Sequence, residues 1–144
     1  MAKARLSIVT LGVSVLARSA RFYQDLGFAR RFRAAGEEVA FFDAGGMILA
    51  LYGWDALAED AQLPGAAPQP FRGFTLSQLC RTDRDVDALM TRALGAGATL
   101  LKHPQRTFFG GYSGYFADPD GHAWEVVRAP GFQFAADGRV SLPE

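Results

Sequence analysis

The feature that most limits what this chain can fold into is a layout that occurs twice. Leu11 lies fifteen residues before Leu26-Gly27, and Leu79 lies fifteen residues before Leu94-Gly95. In each copy a strand-like apolar run leads into a helical repeat that glycine ends, and a strand-turn-strand pattern follows. A single βαβββ module leaves one face of its sheet uncovered. The sequence therefore predicts an α+β fold in which two such modules pair and form a barrel-like cleft.

The predicted boundaries describe one domain over residues 1–144. Module 1 spans about 5–53, a linker spans about 54–72, module 2 spans about 73–129, and a tail covers 130–144. Three of the seven prolines lie in the linker between Leu63 and Pro70, which is typical of an irregular connection.

The periodicity also places individual elements. We predict a helix from Leu16 to Leu26 capped by Ser14, and a helix capped by Thr82 or Asp83 that runs to about Leu94. Predicted strands cover 6–13, 28–34, 39–42, 47–52, 74–80, 99–102, 107–109, 112–117 and 123–128. The tail from 132 to 144 shows neither a helical nor a strand period.

Composition excludes several classes of function. Lys plus Arg and Asp plus Glu both number 15, and no basic tract offers a surface for phosphates, so no nucleic-acid partner is expected. No run is long enough to span a membrane, and the N-terminal apolar stretch is too short for a signal peptide. A cytoplasmic protein is the default prediction. The lone cysteine, Cys80, lies in an apolar run and is interpreted as a core residue.

Two motifs at the right separation resemble one family. Residues 11–28 read LGVSVLARSARFYQDLGF, similar to V-x-D-x-x-x-S-x-x-F-Y-x-x-x-L-G-F, with Val15 in place of the usual Asp. Residues 116–126 read FADPDGHAWEV, similar to F-x-D-P-D-G-x-x-x-E-[IVL]. With the duplication, they identify the chain as a member of the vicinal oxygen chelate superfamily, the glyoxalase, bleomycin-resistance and dioxygenase type.

The resemblance implies a metal site that this sequence does not supply. Family members hold a divalent metal on inward-facing strand positions, using His, Glu or Gln. Those positions fall here at Ile8, at Leu49 or Leu51, at Phe74 and at Glu125. Only Glu125 has a side chain able to bind the ion, and neither histidine occupies one of these positions. We therefore predict no metal and no other cofactor.

Alternation along the strands predicts a lining for the cleft if Glu125 faces inward. The polar members would be Thr10, Gln78 and Glu125. The apolar members predicted to face inward with them are Ile8, Leu49, Leu51, Phe74, Leu76, Ala123 and Val127. Such a lining suits a small, largely apolar or aromatic ligand, and the alternative is a cleft filled by core side chains.

Aromatic side chains predict the mouth of this cleft. Glycine and serine alternate with aromatics over 108–116, where the backbone could approach a flat ligand. We assign Tyr112 and Tyr115 to the mouth and Trp54 to its roof. The alternative is a glycine-bent strand whose aromatics pack on the core.

Three functions remain open from the sequence. The first is metal-independent binding of a small molecule, as in the bleomycin-resistance branch. The second is a metal-dependent lyase or dioxygenase of the glyoxalase type. The third is a cofactor-free enzyme that uses Glu125 as an acid or base, although Glu125 could equally be a structural remnant. The resemblance also implies a homodimer.

Overall fold

The computed structural model describes residues 2–144. Its chain divides into two compact units, and the division along the sequence falls between Ala67 and Pro68. The first unit contains β1 (Ile8–Val13), α1 (Leu16–Leu26), β2 (Ala29–Arg31), a 3₁₀ turn (Arg33–Ala35), β3 (Val39–Asp43), β4 (Ile48–Gly53) and α2 (Trp54–Asp60). The second unit contains β5 (Leu76–Leu79), α3 (Asp83–Gly95), β6 (Thr99–Arg106), β7 (Tyr112–Ala117), β8 (Ala123–Arg128), β9 (Gln133–Phe134) and β10 (Val140–Ser141). Each unit thus holds one βαβββ module, and the predicted α+β architecture is confirmed.

The first unit is a mixed sheet with a helix on one face. Within the described residues its strand order is β1-β4-β3-β2, with β1 and β4 parallel and the other pairs antiparallel. Helix α1 packs on the face that carries Phe42, and the Tyr23 and Phe42 ring centroids lie 6.1 Å apart. Gly27 ends α1 in the left-handed region at φ 115°, which glycine adopts without a Cβ clash.

The second unit repeats the same topology. Its main sheet has the order β5-β8-β7-β6, again with the first pair parallel. Helix α3 packs on the face that carries Phe116 and Trp124, whose rings stack at 6.0 Å. The Thr82 side chain caps α3 by accepting a hydrogen bond from the Asp85 amide, as the sequence predicted.

Each sheet therefore has a proximal face, turned toward its helix, and a distal face, turned away from it. The proximal faces hold the buried cores of the two units. In the first unit the core includes Leu11, Val13, Tyr23, Ala40, Phe42, Leu49 and Leu51, and in the second it includes Val86, Met90, Phe116, Trp124 and Val126.

Three local predictions were wrong. Ser14 does not cap α1, because the cap position is Val15 and the Ser14 hydroxyl instead accepts a hydrogen bond from Arg18. The strand predicted over 28–34 ends at Arg31, since Phe32 adopts a left-handed backbone. Residues 107–109 lie in the turn after β6, which runs unbroken over 99–106.

The tail, for which the sequence shows no strand period, forms the hairpin β9–β10. The hairpin is fixed to its own unit by Arg81. The guanidinium lies 4.7 Å from the centre of the Phe134 ring and donates to the Ala135 carbonyl oxygen at 2.9 Å.

The boundary between the units lies inside the predicted linker 54–72. The first seven of these residues form α2, which packs on β1 and β4. Across residues 2–144, no helix is both long and apolar enough to cross a membrane.

Candidate functional site

Glu125 lies at the centre of a polar cluster on the distal face of the second unit. Its Oε2 atom accepts a hydrogen bond from Ser113 Oγ at 2.7 Å, and its Oε1 atom is 3.4 Å from Ser77 Oγ. Tyr115 pairs in register with Glu125, so its side chain lies on the same face as this carboxylate. Partial burial, followed by the nearby negative charge of Glu125, raises the pKa of Tyr115 above its ordinary value of 10.0. The phenol therefore keeps its hydrogen at neutral pH.

The strand register explains why these side chains meet. Glu125 on β8 pairs with Ser77 on β5 and with Tyr115 on β7, and Tyr115 pairs with Lys102 on β6. Residues paired in register project from the same face of a sheet, and neighbouring strands lie about 4.8 Å apart. The result is a row of polar side chains across all four strands. Ser113 projects from the same face, two residues before Tyr115 on β7.

Three of the predicted ligand-contact residues lie away from this row of polar side chains. Gln78 pairs in register with Val126, so it projects from the proximal face. Tyr112 also projects there, and its hydroxyl donates to Asp87 of α3 at 2.7 Å. Phe74 precedes β5, beside a small hollow that it lines with Arg72 and His122. Gln78 therefore does not share a face with Glu125, whereas the place of Tyr112 at a pocket mouth stays a prediction.

The predicted faces of the β5 residues differ from the observed ones by a shift of one residue. The prediction took Phe74, Leu76 and Gln78 as the inward set, whereas the parallel pairing with β8 puts Ser77 beside Glu125. A shift of one residue moves every side chain of a strand to the other face. Ser77 was missed for this reason, and no local sequence signal distinguishes the two registers of so short a strand.

The first unit shows the same kind of shift. Thr10 pairs with Ala50, and Leu11 pairs with Leu51. Thr10 and Ala50 therefore share the distal face, while Leu49 and Leu51 project into the core beneath α1, where they are 3% and 0% exposed. The prediction that Leu49 and Leu51 share a face with Thr10 was wrong.

Trp54 lies over the distal face of the first unit, to which Thr10 also belongs. A Cβ atom built on Gly12 would come within 2.9 Å of Cε3 of the Trp54 ring. Gly12 is two residues beyond Thr10 on β1, so the indole occupies the space that a side chain at position 12 would fill. The indole nitrogen donates to the Ala66 carbonyl oxygen at 3.0 Å, which fixes the ring orientation.

Correcting the faces does not restore a family-type metal site. The β4 position on the distal face is Ala50, and the β5 position beside Glu125 is Ser77. Neither side chain is a ligand that iron, zinc, manganese or nickel prefers. Among residues 2–144 there is also no cluster of three or more His, Cys, Asp or Glu side chains arranged to hold a metal ion. The side chains present do not fit the metal that the family implies.

Neither Cys80 nor His122 adds a reactive group to the Glu125 cluster. Cys80 is buried, and burial together with the negative charge of Asp85 raises the pKa of its thiol to about 11. It is therefore protonated and unreactive at neutral pH. His122 is also buried, and its Nδ1 atom lies 2.8 Å from the Arg72 guanidinium.

Comparison with known proteins agrees with this architecture. The sequence model of the Glyoxalase/Bleomycin resistance protein/Dioxygenase superfamily matches residues 5–126, and the chain belongs to that superfamily. It is 32% identical over 119 residues to the metallothiol transferase FosB of Shouchella clausii (strain KSM-K16), an alignment that covers 82% of this chain and 75% of that protein.

Solved structures give the same result. The chain resembles the crystal structure of a glyoxalase-related enzyme from Fulvimarina pelagi with a TM-score of 0.88 and 34% identity, covering 97% of this chain and 99% of that one. It also resembles a glyoxalase/bleomycin resistance protein/dioxygenase family enzyme from Burkholderia phytofirmans PsJN, with a TM-score of 0.78 and 26% identity over 88% of this chain and 99% of that one.

Proposed function

We propose that this protein binds a small, largely apolar or aromatic molecule without the family metal, and that Glu125 is the polar anchor for that ligand. The observation that carries the proposal is the set of hydroxyl groups around the Glu125 carboxylate. Ser77 and Ser113 are hydrogen-bond donors to this carboxylate, and Tyr115 lies beside it on the neighbouring strand. They organise it as an acceptor for a ligand rather than as one member of a metal ligand set.

Counting acceptor positions narrows the chemistry of the ligand. A carboxylate offers about four lone-pair positions. Ser77 and Ser113 take two of them, which leaves about two for donors from outside the protein. Glu125 is only partly buried, so such donors can reach it. The proposed ligand therefore carries a strong donor group, such as an amine, on an otherwise apolar body.

The assignment of the other sequence-predicted residues is part of this proposal. Thr10 and Trp54 share the distal face of the first unit, and Tyr115 and Glu125 share that of the second. We propose Tyr115 and Glu125 as ligand contacts on the second unit, and Thr10 and Trp54 as ligand contacts on the first unit, each unit taken by itself. Leu49 and Leu51 support the core, where they are buried, and Tyr112 attaches α3 through Asp87.

The experiment is a pair of binding measurements with two matched probes. 2-Phenylethylamine carries an aromatic ring and a cationic donor, and 3-phenylpropionate carries the same ring and an anion. We expect 2-phenylethylamine to raise the melting temperature by mass action and 3-phenylpropionate to leave it unchanged. Glu125→Gln should weaken amine binding about ten- to a hundredfold, since a hydrogen bond to a charged group contributes ~1.5–3 kcal/mol.

Glu59→Gln is the matched control, because it removes a carboxylate of the same kind from the helix α2 of the other unit. It should bind 2-phenylethylamine as the unmodified protein does. Equal affinity for the amine in Glu125→Gln and in the unmodified protein would contradict the role of Glu125.

The second candidate is a metal-dependent enzyme, which the similarity to the metallothiol transferase FosB favours. Isothermal titration with manganese, zinc, nickel and ferrous salts separates the two candidates. The metal-free proposal expects no stoichiometric binding. One tightly bound ion per chain that is lost in Glu125→Gln would establish the second candidate instead.

A cofactor-free enzyme that uses Glu125 as an acid or base is the third candidate. The same cluster supports it, because the Ser113 hydroxyl orients the carboxylate. We also propose a single domain that acts as a cytoplasmic homodimer. Sedimentation of the purified protein tests the dimer, and a monomer would contradict it.

A further inference from the structure

We propose that Phe32 and Phe41 form a separate subsite on the first unit, which takes an uncharged planar aromatic molecule by ring stacking. Phe41 shares the distal face of the first unit with Thr10, and neither ring belongs to the Glu125 cluster. The inference adds a contact region to the proposed function and does not depend on the role of Glu125.

The two rings form a short open stack. Their centroids lie 5.8 Å apart with 25° between the ring planes. This is an offset-stacked arrangement, in which the outer ring can accept another flat ring on its free side. Phe41 lies on the distal face in register with Ala50. Phe32 is the outer ring, and it is 69% exposed.

Phe32 is held in an unfavourable backbone conformation. Its φ of 58° and ψ of 46° fall in the left-handed region, which a bulky L-residue rarely adopts. This conformation ends β2 and turns the ring toward Phe41. Because two thirds of the side chain remains exposed, burial of the ring offsets little of that backbone cost. A strained residue with an exposed ring is typical of a ligand contact.

Charges around the stack favour an uncharged ligand. Arg31 pairs in register with Phe41 and projects from the same face. Asp43, two residues beyond Phe41 on β3, also projects from this face, and its carboxylate accepts a hydrogen bond from the Gly45 amide. Charges of both signs therefore flank the rings, and neither an anion nor a cation gains a net attraction there.

The test uses 2-naphthol, which is flat and uncharged at neutral pH, and follows backbone amide resonances by two-dimensional NMR. We expect the probe to shift the amides of Arg31, Phe32 and Phe41. Phe32→Gly should weaken the affinity for 2-naphthol, measured from the shift of the Phe41 amide, by about threefold or more. This matches the energy of an aromatic pair. The same variant should keep or raise its melting temperature, because glycine adopts the left-handed region freely.

Phe108→Gly is the matched control, since Phe108 is a fully exposed phenylalanine of the other unit. In this variant the affinity for 2-naphthol, measured from the shift of the Phe41 amide, should be unchanged. If Phe32→Gly does not fold, Phe32→Asn replaces it, because asparagine also tolerates the left-handed region.

Three results would overturn the proposal. One is that 2-naphthol shifts no amide between residues 31 and 41. Another is that removing the Phe32 ring leaves the affinity unchanged. The third is that the substitution changes only the self-association of the chain, which would assign the rings to an interface between two copies.

Discussion

Ser113 donates its hydroxyl hydrogen to Glu125 across two neighbouring strands, with 2.7 Å between Ser113 Oγ and Glu125 Oε2. The two residues are diagonal neighbours, because Ser113 pairs in register with Val127 and Glu125 pairs with Tyr115. Diagonal neighbours on one face of an antiparallel pair lie within reach of each other's side chains. The carboxylate is therefore oriented by the sheet itself.

Removing this donor should destabilise the second unit. Ser113 is 4% exposed, so water cannot readily take the place of its hydroxyl group. We expect Ser113→Ala to lower the free energy of unfolding by ~1–3 kcal/mol, measured by urea denaturation. Ser77→Ala is the comparison, because its contact with Glu125 is longer at 3.4 Å and the Ser77 side chain is exposed. An equal loss in both variants would contradict the assigned difference between the two hydroxyl groups.

The Tyr115–Glu125 contact should make stability depend on pH in the alkaline range. The pKa of Tyr115 is raised above 10.0 in the folded protein, so the unfolded chain loses this proton at a lower pH than the folded chain. The contribution to stability is therefore complete below pH 10 and is lost as pH rises through the folded pKa. Carbon-13 NMR of labelled tyrosine measures the titration, and Tyr115→Phe identifies the resonance.

Glu125→Gln provides the control for this titration. Without the negative charge of Glu125, the pKa of Tyr115 should move back toward 10.0, although partial burial keeps it from returning fully. Tyr112 should not move, because its raised pKa comes chiefly from its hydrogen bond to Asp87. An unchanged pKa for Tyr115 in the variant would show that the carboxylate and phenol do not interact.

A side chain at position 12 should displace the Trp54 ring. A Cβ atom on Gly12 would lie 2.9 Å from Trp54 Cε3 and 3.4 Å from Trp54 Cα. We expect Gly12→Ala to cost ~1–3 kcal/mol of stability, as overpacking does, and to shift the tryptophan fluorescence. Gly53→Ala is the control, because its Cβ would lie 3.8 Å from the Ala56 Cβ. A Gly12→Ala variant as stable as the unmodified protein would contradict this packing.

The ion pairs of Asp83 should make the second unit sensitive to acid. Asp83 receives hydrogen bonds from Arg128 and Arg106, and the Arg128 contact is the main reason that its pKa falls below the ordinary value of 3.8. A carboxyl whose folded pKa is lowered stabilises the protein above pH 3.8 and loses that effect as pH falls through the folded pKa. Urea denaturation between about pH 2 and pH 6 measures this dependence.

Asp83→Asn should reduce the loss of unfolding free energy that occurs as the pH falls through this range. Because Asp83 is the first residue of α3, which packs on the proximal face, the Glu125 cluster on the distal face should keep its affinity for 2-phenylethylamine in this variant. A stability profile with the same slope in both proteins would show that Asp83 does not contribute to acid sensitivity.

Sequence periodicity determined the modules and their order. The two copies of the Leu-Gly repeat placed α1 and α3, and the Asp-Pro-Asp-Gly turn placed the hairpin that brings β7 and β8 together. These features are local, since helix periodicity, glycine ends and turn residues act over only a few positions. The motif ending in Glu125 also placed the one carboxylate of the cluster.

Tertiary structure decided which side chains surround that carboxylate. Ser77 rather than Gln78 lies beside Glu125, and Ala50 rather than Leu49 or Leu51 lies beside Thr10, because of the register of two parallel pairs. Parallel strands are joined only through long crossovers, so no turn fixes their register locally. The choice is made by which residues are buried against the helix, and that depends on packing between segments far apart in the sequence.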